Sequence, residues 1–477
     1  MTIWAGSILH LALFTNVAHA ALTVGPGGSH TTIQSAIDAA VASGVDVEIR
    51  VASGTWHEHF RVPTITRTVT LTLTGGWDTG FVSRPGDRAH ESIIDSDGYA
   101  PVIESQQSQG TMAIETFTIT GAGHAVPATG IGGAILADLR GAASLVMRRN
   151  HITSNHVVVD ENFSVAAIQI FTDENATVLL QENVISDNTV TGPSVSGGAL
   201  FVVQTGKSRF TFMNNEVLRN TTKSTADAAS GNEVFATDFS QVTIVGNQFL
   251  RNVVKARGEA RDAGLAMHVQ NSAVGVLNDN SFDRNQVASS TTYATGILAI
   301  GAEVFAGVGR PRIEARRNVV RNSAISSPNA PELEIYARAG DVNFTDNWVV
   351  DGTGTAVFAN AELGGKIYLT NDTIFDHKAG GVDATSSPPD SVYLSNSIVY
   401  KSLPALRGSI STAANLINVN PFFVAISLGN YHLGLRSPAI DAGLPTPPGG
   451  LGAFDIDGEP RLRGHQIDIG ADETAPR

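Results

Sequence analysis

The sequence predicts an all-β solenoid, a right-handed parallel β-helix of roughly a dozen coils, on three observations. Asparagines recur at a nearly fixed spacing: Asn150, Asn183, Asn215, Asn247, Asn280, Asn318 and Asn347, continued by Asp372 and Asn396, lie 33, 32, 32, 33, 38, 29, 25 and 24 residues apart. Apolar residues keep fixed offsets from these anchors. Two residues after them stand Ile152, Ile185, Val217, Phe249, Phe282, Val320, Val349, Ile374 and Ile398; three before stand Met147, Leu180, Phe212, Ile244, Leu277, Ala315, Phe344, Leu369 and Tyr393. Alternating inward positions on both sides of a turn residue describe strand, turn, strand, repeated once per coil. The composition agrees, because 48 Gly, 6% aromatics and 16% charged residues suit many short strands joined by turns.

A second asparagine follows five residues after each of the first five anchors: Asn155, Asn188, Asn220, Asn252 and Asn285. Asn tolerates a left-handed turn, and its amide both donates and accepts, so identical residues in successive coils can bond along the axis. After Asn285 this second ladder is expected to fail: Asn322 stands one residue early, and Gly352, His377 and Lys401 hold the later places. A sandwich or propeller fits less well, since blades need periods of roughly 40–50 residues and hairpin dipeptides such as Asn-Gly are scarce.

Taken in order, residues 1–20 read as a signal peptide. They carry no acidic or basic side chain, hold an apolar stretch from Ile8 to Phe14 and end in Ala18-His19-Ala20, so cleavage near Ala20 is expected. No later stretch reaches the ~20 apolar residues of a membrane span. The mature chain is therefore expected to be exported, whether secreted, held at the cell surface or periplasmic, and to be a monomer. Without Cys, its stability must come from backbone ladders and a long core.

Residues 21–75 read as an N-terminal cap and first coil. Thr31-Thr32-Ile33-Gln34 resembles a capping box ahead of Ile33, Ile37, Ala40 and Val41 at helical spacing. Val45 to Val51 alternates as a strand, and Gly75-Gly76-Trp77-Asp78 marks a turn. The solenoid occupies 76–435. In its earlier coils the polar insertions 189–196, 221–231, 253–263 and 286–295 fall after the second asparagine and read as loops. Strands opening at Gly197, Gly264 and Gly296 follow three of them, and Gly132 opens the same strand one coil earlier. A solenoid superimposes equivalent positions, so these insertions flank one sheet and mark the side of a binding groove. Residues 436–477, rich in Pro and Gly from Ser437 to Gly464, read as an irregular C-terminal lid.

Net charge −14, from 31 basic and 45 acidic residues, removes the attraction to phosphate backbones that nucleic-acid binding needs. The expected partner is a polysaccharide or cell-surface glycan.

Nearly the whole mature chain resembles the pectin-lyase-like right-handed β-helix superfamily, with Ile33-Gln34-Ser35-Ala36-Ile37 and Gly54-Thr55-Trp56-His57-Glu58 similar to the openings of many members. The C-terminus more narrowly resembles bacterial choice-of-anchor Q domain proteins. That likeness rests on Ser437-Pro438-Ala439-Ile440-Asp441-Ala442-Gly443, Asp455-Ile456-Asp457-Gly458-Glu459-Pro460-Arg461 and Asp468-Ile469-Gly470-Ala471-Asp472-Glu473. The resemblance implies an exported, often surface-attached protein, but the superfamily holds lyases, hydrolases, esterases and proteins with no known activity. The paired aspartates of galacturonan hydrolases and the catalytic motifs of methylesterases have no counterpart here; Thr370-Asn371-Asp372 belongs to the repeat.

A lyase acting on uronates needs a cation beside the carboxylate and a base for the α-proton. The densest basic group on the groove side supplies the catalytic candidates Lys255, Arg257, Arg261 and His268, with Lys223, Asp227 and Asp262 as substrate-binding candidates. A solvated surface loop explains the same charges. For calcium, the candidate oxygen ligands are Asp138, Asp173 and Asp238, or Asp455 and Asp457. Turn solvation accounts for the first set, and pairing with Arg461 and Arg463 inside a structural lid for the second. Because no catalytic set is complete, the sequence favours a carbohydrate-binding or adhesive module, the alternative being a polysaccharide lyase or glycoside hydrolase.

Overall fold

A computed structural model describes residues 21–84, 91–125, 133–159, 163–164, 167–290, 294–304, 309–327, 330–389 and 391–475. The expected signal peptide, Gly132 and residues 291–293 of the last insertion lie outside them.

The chain winds into a right-handed parallel β-helix. Each coil contributes one strand to each of three long sheets of twelve, fourteen and thirteen strands, and neighbouring strands in every sheet come from successive coils. The coil from Leu200 shows the path: Leu200–Gln204 lies in the twelve-stranded sheet, Arg209–Met213 in the fourteen-stranded one and Glu216–Leu218 in the thirteen-stranded one. Inward residues of all three sheets form one continuous core, in which Phe210, Phe212, Phe249 and Phe282 are fully buried. Among the described residues no helix is long and apolar enough to cross a membrane.

The asparagine ladder follows from a two-residue turn between the fourteen- and thirteen-stranded sheets. Its first residue adopts the left-handed conformation (Arg149, Glu182, Asn214, Gly246, Asp279 and Arg317, all with φ between 52° and 70°) and its second is the ladder Asn. The Oδ1 of Asn215 accepts both the backbone N–H and the Nδ2–H of Asn183, at 2.9 and 3.0 Å, while its own Nδ2 donates to the Leu180 carbonyl at 2.9 Å. Every polar atom of a buried amide is thus used, which removes the cost of burying it. The column runs unbroken from Asn150 to Asn347 and on to Asp372.

Three expectations need correction. The ladder partner of Asp372 is Ser397, whose Oγ accepts the Asp372 amide at 3.1 Å; Asn396 fills the left-handed position before it, at φ 49°. The inward residues of that coil are therefore Leu394 and Val399, and Tyr393 faces outward. The insertions are not loose loops. They carry short strands, such as Val253–Ala256 and Ala260–Arg261, that build an eight-stranded and a five-stranded parallel sheet. Val190, Thr222, Val254 and Val287 are their inward positions, so the alternation of the coil continues through segments that look polar.

The second ladder's run of amides ends at Asn285, as expected, but the last of the later places belongs to Ser402 and not to Lys401. Ser323 takes the next place, and Gly352 the one after, where the carboxylate of Glu332 lies so close that a Cβ on Gly352 would meet it at 2.2 Å. His377 then donates Nε2–H to the Val349 carbonyl at 3.0 Å, the bond an Asn Nδ2 makes in earlier coils. Ser402 accepts the His377 amide at 3.1 Å.

The helix Ile33–Ser43 closes the N-terminal end, with Thr32 as N-cap and Gly44 as a left-handed C-cap. Glu58 completes the cap by accepting the Ile33 and Gln34 amides at 2.9 and 3.2 Å. Gln34, the expected capping-box partner, instead bonds Asp38 and Arg61. At the other end, the lid is held by buried charge. Arg461 donates to the carbonyls of Asp468, Gly470 and Ala471, and its Nε lies 3.5 Å from Asp346 Oδ1 and 3.8 Å from Glu473 Oε2.

Candidate functional site

Alternate residues of the twelve-stranded sheet face outward and form two columns along the axis. One reads Gln169, Phe201, Glu233, Ala266, Ala299, Glu334, Phe358; the other reads Phe171, Val203, Phe235, His268, Gly301, Tyr336, Asn360. Between Glu233 and Glu334 stand two alanines, and between His268 and Tyr336 a glycine. Short side chains between long ones set Ala266 and Ala299 below their neighbours as a floor, while His268 and Glu303 lie over Gly301.

The walls carry the chemistry. His268 stacks on Phe235 with ring centroids 5.4 Å apart and planes 13° from parallel, and its Nδ1 lies 3.1 Å from Glu303 Oε1. Ring stack and carboxylate together fix the imidazole and leave Nε2 as the nitrogen without a protein partner among the described residues. A Cβ on Gly301 would meet His268 Nδ1 at 2.6 Å and Glu303 Oε1 at 2.4 Å, so this pair requires glycine on the strand beside it. Tyr336 donates its hydroxyl to Glu334 Oε2 at 2.8 Å.

Arg261 comes from the adjoining five-stranded sheet, half exposed, with Nη2 3.4 Å from Glu259 Oε1. It and His268 act on both outward glutamates. Burial raises the proton affinity of Glu233, opposed by a hydrogen bond from Ser230 and by the charges of His268 and Arg261. Burial likewise raises Glu334, opposed by hydrogen bonds from Tyr336 and Thr295 and then by Arg261 and, when it is protonated, His268. Two carboxyls biased toward the neutral form thus share one arginine and one oriented histidine, and such clustering of perturbed groups in a concavity is a mark of catalytic sites.

Aromatic rings extend the site along the axis. Phe171, Phe201 and Phe235 follow one another at 6.4 and 6.3 Å between centroids on one side, and Tyr336 and Phe358 lie 6.1 Å apart on the other. A polar centre flanked by aromatic surface has the shape of a linear binding track.

Of the residues singled out from the sequence, the fold brings Arg261 and His268 to this site. Asp262 lies beside them but buried, in a left-handed turn with its Oδ1 under Gly296, and burial and then Glu334 and Glu233 raise its proton affinity well above the usual range. Buried there, it cannot touch a substrate. Lys223 and Lys255 are register partners on the eight-stranded sheet, both exposed and without an ion partner among the described residues. Arg257 is exposed beyond them, and Asp227 uses its backbone to accept the Gly258 amide. Glu233, Glu303 and the Glu334–Tyr336 pair were not legible, since they lie on three different coils.

The calcium candidates do not form a site. Asp138 pairs with Arg140, Asp173 with the Thr205 hydroxyl at 2.7 Å, and Asp238 accepts the Gly206 amide, three different positions of the coil. Asp455 spends its oxygens on the amides of Asp457, Glu459 and Glu473. Asp457 instead converges with His432 and Asp472 in the lid, their ligand atoms within 4.8 Å of one another; His57, Asp95 and Asp97 do the same near the N-terminus. Neither group adjoins the outer columns of the twelve-stranded sheet.

Comparison with family models and with curated proteins gives no match. Among solved structures, the chain is similar to a PL6-family polysaccharide lyase from Pseudopedobacter saltans, at 10% identity and a TM-score of 0.31 over 87% of this chain and 96% of that one. A likeness that distant assigns no residue a role.

Proposed function

We propose that the protein binds an acidic polysaccharide along the outer face of the twelve-stranded sheet and cleaves it by β-elimination over Ala266 and Ala299, beside the His268–Glu303 pair. The observation that carries this reading is the His268–Glu303 pair facing Arg261 between two carboxyls of raised proton affinity. Arg261 neutralises the uronate carboxylate and so acidifies the α-proton. His268 Nε2 takes that proton, the C4–O bond breaks as the C4=C5 double bond forms, and the Tyr336–Glu334 pair returns a proton to the leaving oxygen. His268 and Tyr336 stand two strand spacings apart, roughly 10 Å at the backbone; Gly301 between them gives the His268–Glu303 pair its space, and the sugar ring would lie over Ala266 and Ala299. The exposed Lys223, Lys255 and Arg257 on the insertion strands give the chain, whose net charge is negative, a local basic surface that supports an anionic substrate. Export and surface attachment, implied by the C-terminal resemblance, fit such a role.

The aromatic track favours a second reading, binding without turnover. One assay set separates them. Over a panel of alginate, polygalacturonate and neutral glucans, elimination gives ultraviolet-absorbing unsaturated ends, hydrolysis gives reducing ends without that absorbance, and pure binding gives neither. We expect unsaturated product, lowered 10²- to 10³-fold in kcat by His268→Ala and mainly in KM by Arg261→Ala, with melting temperatures unchanged. Retention of full turnover by His268→Ala would overturn the assignment.

A further inference from the structure

The short coils carry a second groove, on the fourteen-stranded sheet and away from the candidate site. It encloses about 650 Å³ and is lined by Arg310, Arg312, Asp341, Asn343, Lys366 and Tyr368 among others. That volume lies within the roughly 300–1,000 Å³ of small-ligand sites.

Two outward columns build it, one running Arg312, Asp341, Lys366 and the other Glu314, Asn343, Tyr368, Tyr393. The tyrosine rings stack on each other 5.2 Å apart and 7° from parallel, which holds them upright. Beside Tyr368 stands the much shorter Asn343, so the outer part of the Tyr368 ring face forms a wall above it.

The charges do not cancel. Asp341 is gripped by Arg310 through two bonds of 2.6 Å, and Glu314 is taken by Arg316 at 2.9 Å and by Asn343 at 2.7 Å. Arg312 and Lys366 remain without an ion partner among the described residues, on either side of the neutralised Asp341. A flat aromatic face, two spare cations and a ring of polar groups suit a sugar carrying a carboxylate or sulfate. The sugar's apolar face packs on the ring and its anionic group meets the cations.

We propose that this groove is a non-catalytic binding site for anionic glycan, holding the polymer to the short coils while the twelve-stranded sheet acts on another stretch of it. That division of labour rests on the proposed function above, but binding at the groove does not. A sulfated and a carboxylated ligand share the chemistry, and the probes separate them.

The test is affinity electrophoresis of the full chain in gels containing alginate, polygalacturonate, heparin or neutral amylose, beside turnover assays on short oligosaccharides. We expect an acidic gel to retard the wild type, amylose to leave it unshifted, and the Arg312→Ser/Lys366→Ser double variant and Tyr368→Ala each to weaken retardation at least tenfold without changing turnover. His268→Ala should do the reverse. Carboxylated gels alone, or heparin alone, would name the anionic group. If groove variants lose retardation while no variant or wild type shows turnover, the groove stands and the catalytic reading falls. Retardation that survives both groove variants, or that appears in no acidic gel, overturns the proposal; unchanged melting temperatures guard against misfolding.

Discussion

The coils between about residues 133 and 327 and those from 330 to 417 share one backbone plan but solve the problem of buried turns differently. In the long coils each turn amide is matched by an identical Asn, and the extra strands build a wall beside the twelve-stranded sheet. In the short coils that wall is gone, and the places of the second asparagine are served by the Glu332 carboxylate, His377 and Ser402. The solenoid therefore demands a donor and an acceptor at that place, not a particular residue. Amide, carboxyl and imidazole are interchangeable there when the neighbours change with them.

Substitutions that exchange the two solutions test this most severely. Asn252 accepts the Asn220 amide and Nδ2–H and donates to Val217 and Asn285. Asn252→Ala orphans those groups and should cost on the order of 4 kcal/mol, read as a lowered urea midpoint. Asn252→His should cost about as much, because neither neighbour leaves space for a ring. His377→Asn should change stability by less than ~1 kcal/mol, since an amide can make the same bond to Val349. Equal losses at both places would show that the short coils are built around imidazole and not merely tolerant of it.

How much was legible follows the same divide. The solenoid and the first ladder could be read because the long coils repeat one residue at one spacing. The last anchor was misplaced by one because both residues of the turn accept Asn. Asn371 and Asn396 occupy the left-handed place, Asp372 and Ser397 the ladder place, and identity alone cannot say which is which. At the candidate site, Arg261 and His268 were visible through local crowding of charge. Glu233, Glu303, Glu334 and Tyr336 look like ordinary outward strand residues until the coils are stacked, and only the small residues Ala266, Ala299 and Gly301 between them hint at a hollow. The same crowding drew in Lys255 and Arg257, which the chain turns toward a different sheet.

The two regions should also answer differently to pH. Burial raises Glu332 to about 7 in the short coils, and it raises Asp346 and Glu473, beneath and within the lid, to about 7 as well. A carboxyl whose folded pKa exceeds its unfolded value binds more protons when folded. Its contribution is therefore complete below the unfolded value and is lost as pH rises through 7. His377, lowered by burial to about 4, works in the opposite sense: its contribution is complete above 6.5 and lost as pH falls through 4. Between pH 5 and 8 the three carboxyls dominate, so the urea midpoint should fall across that range, with hydrogen exchange rising first in the lid and short coils. Glu332→Gln should flatten the fall, each tenfold difference in proton affinity between folded and unfolded chain being worth about 1.4 kcal/mol. A midpoint that rises steadily from pH 5 to 8 would show that the three carboxyls are already charged in the folded protein and that the neutral, buried His377 governs the range.

The smallest expected effect lies at the junction of the two regions. Asn285 closes the run of second-ladder asparagines: its Oδ1 accepts from Asn252 and its Nδ2 donates to the Phe249 carbonyl. The next place belongs to Ser323, a buried hydroxyl on the Glu332 side of the turn and too short to span to Asn285. Ser323→Asn should extend the ladder by one coil, accepting from Asn285 and presenting its own Nδ2–H toward the Glu332 carboxylate that fills the space over Gly352. With one or two bonds gained against one ordered side chain, the gain should be about 0.5–1 kcal/mol, and a charge-favouring donor beside Glu332 should shift the pH dependence of stability downward. Destabilisation by this change would mean that the coil has already altered its cross-section at residue 323. The ladder would then end for want of room rather than for want of an amide.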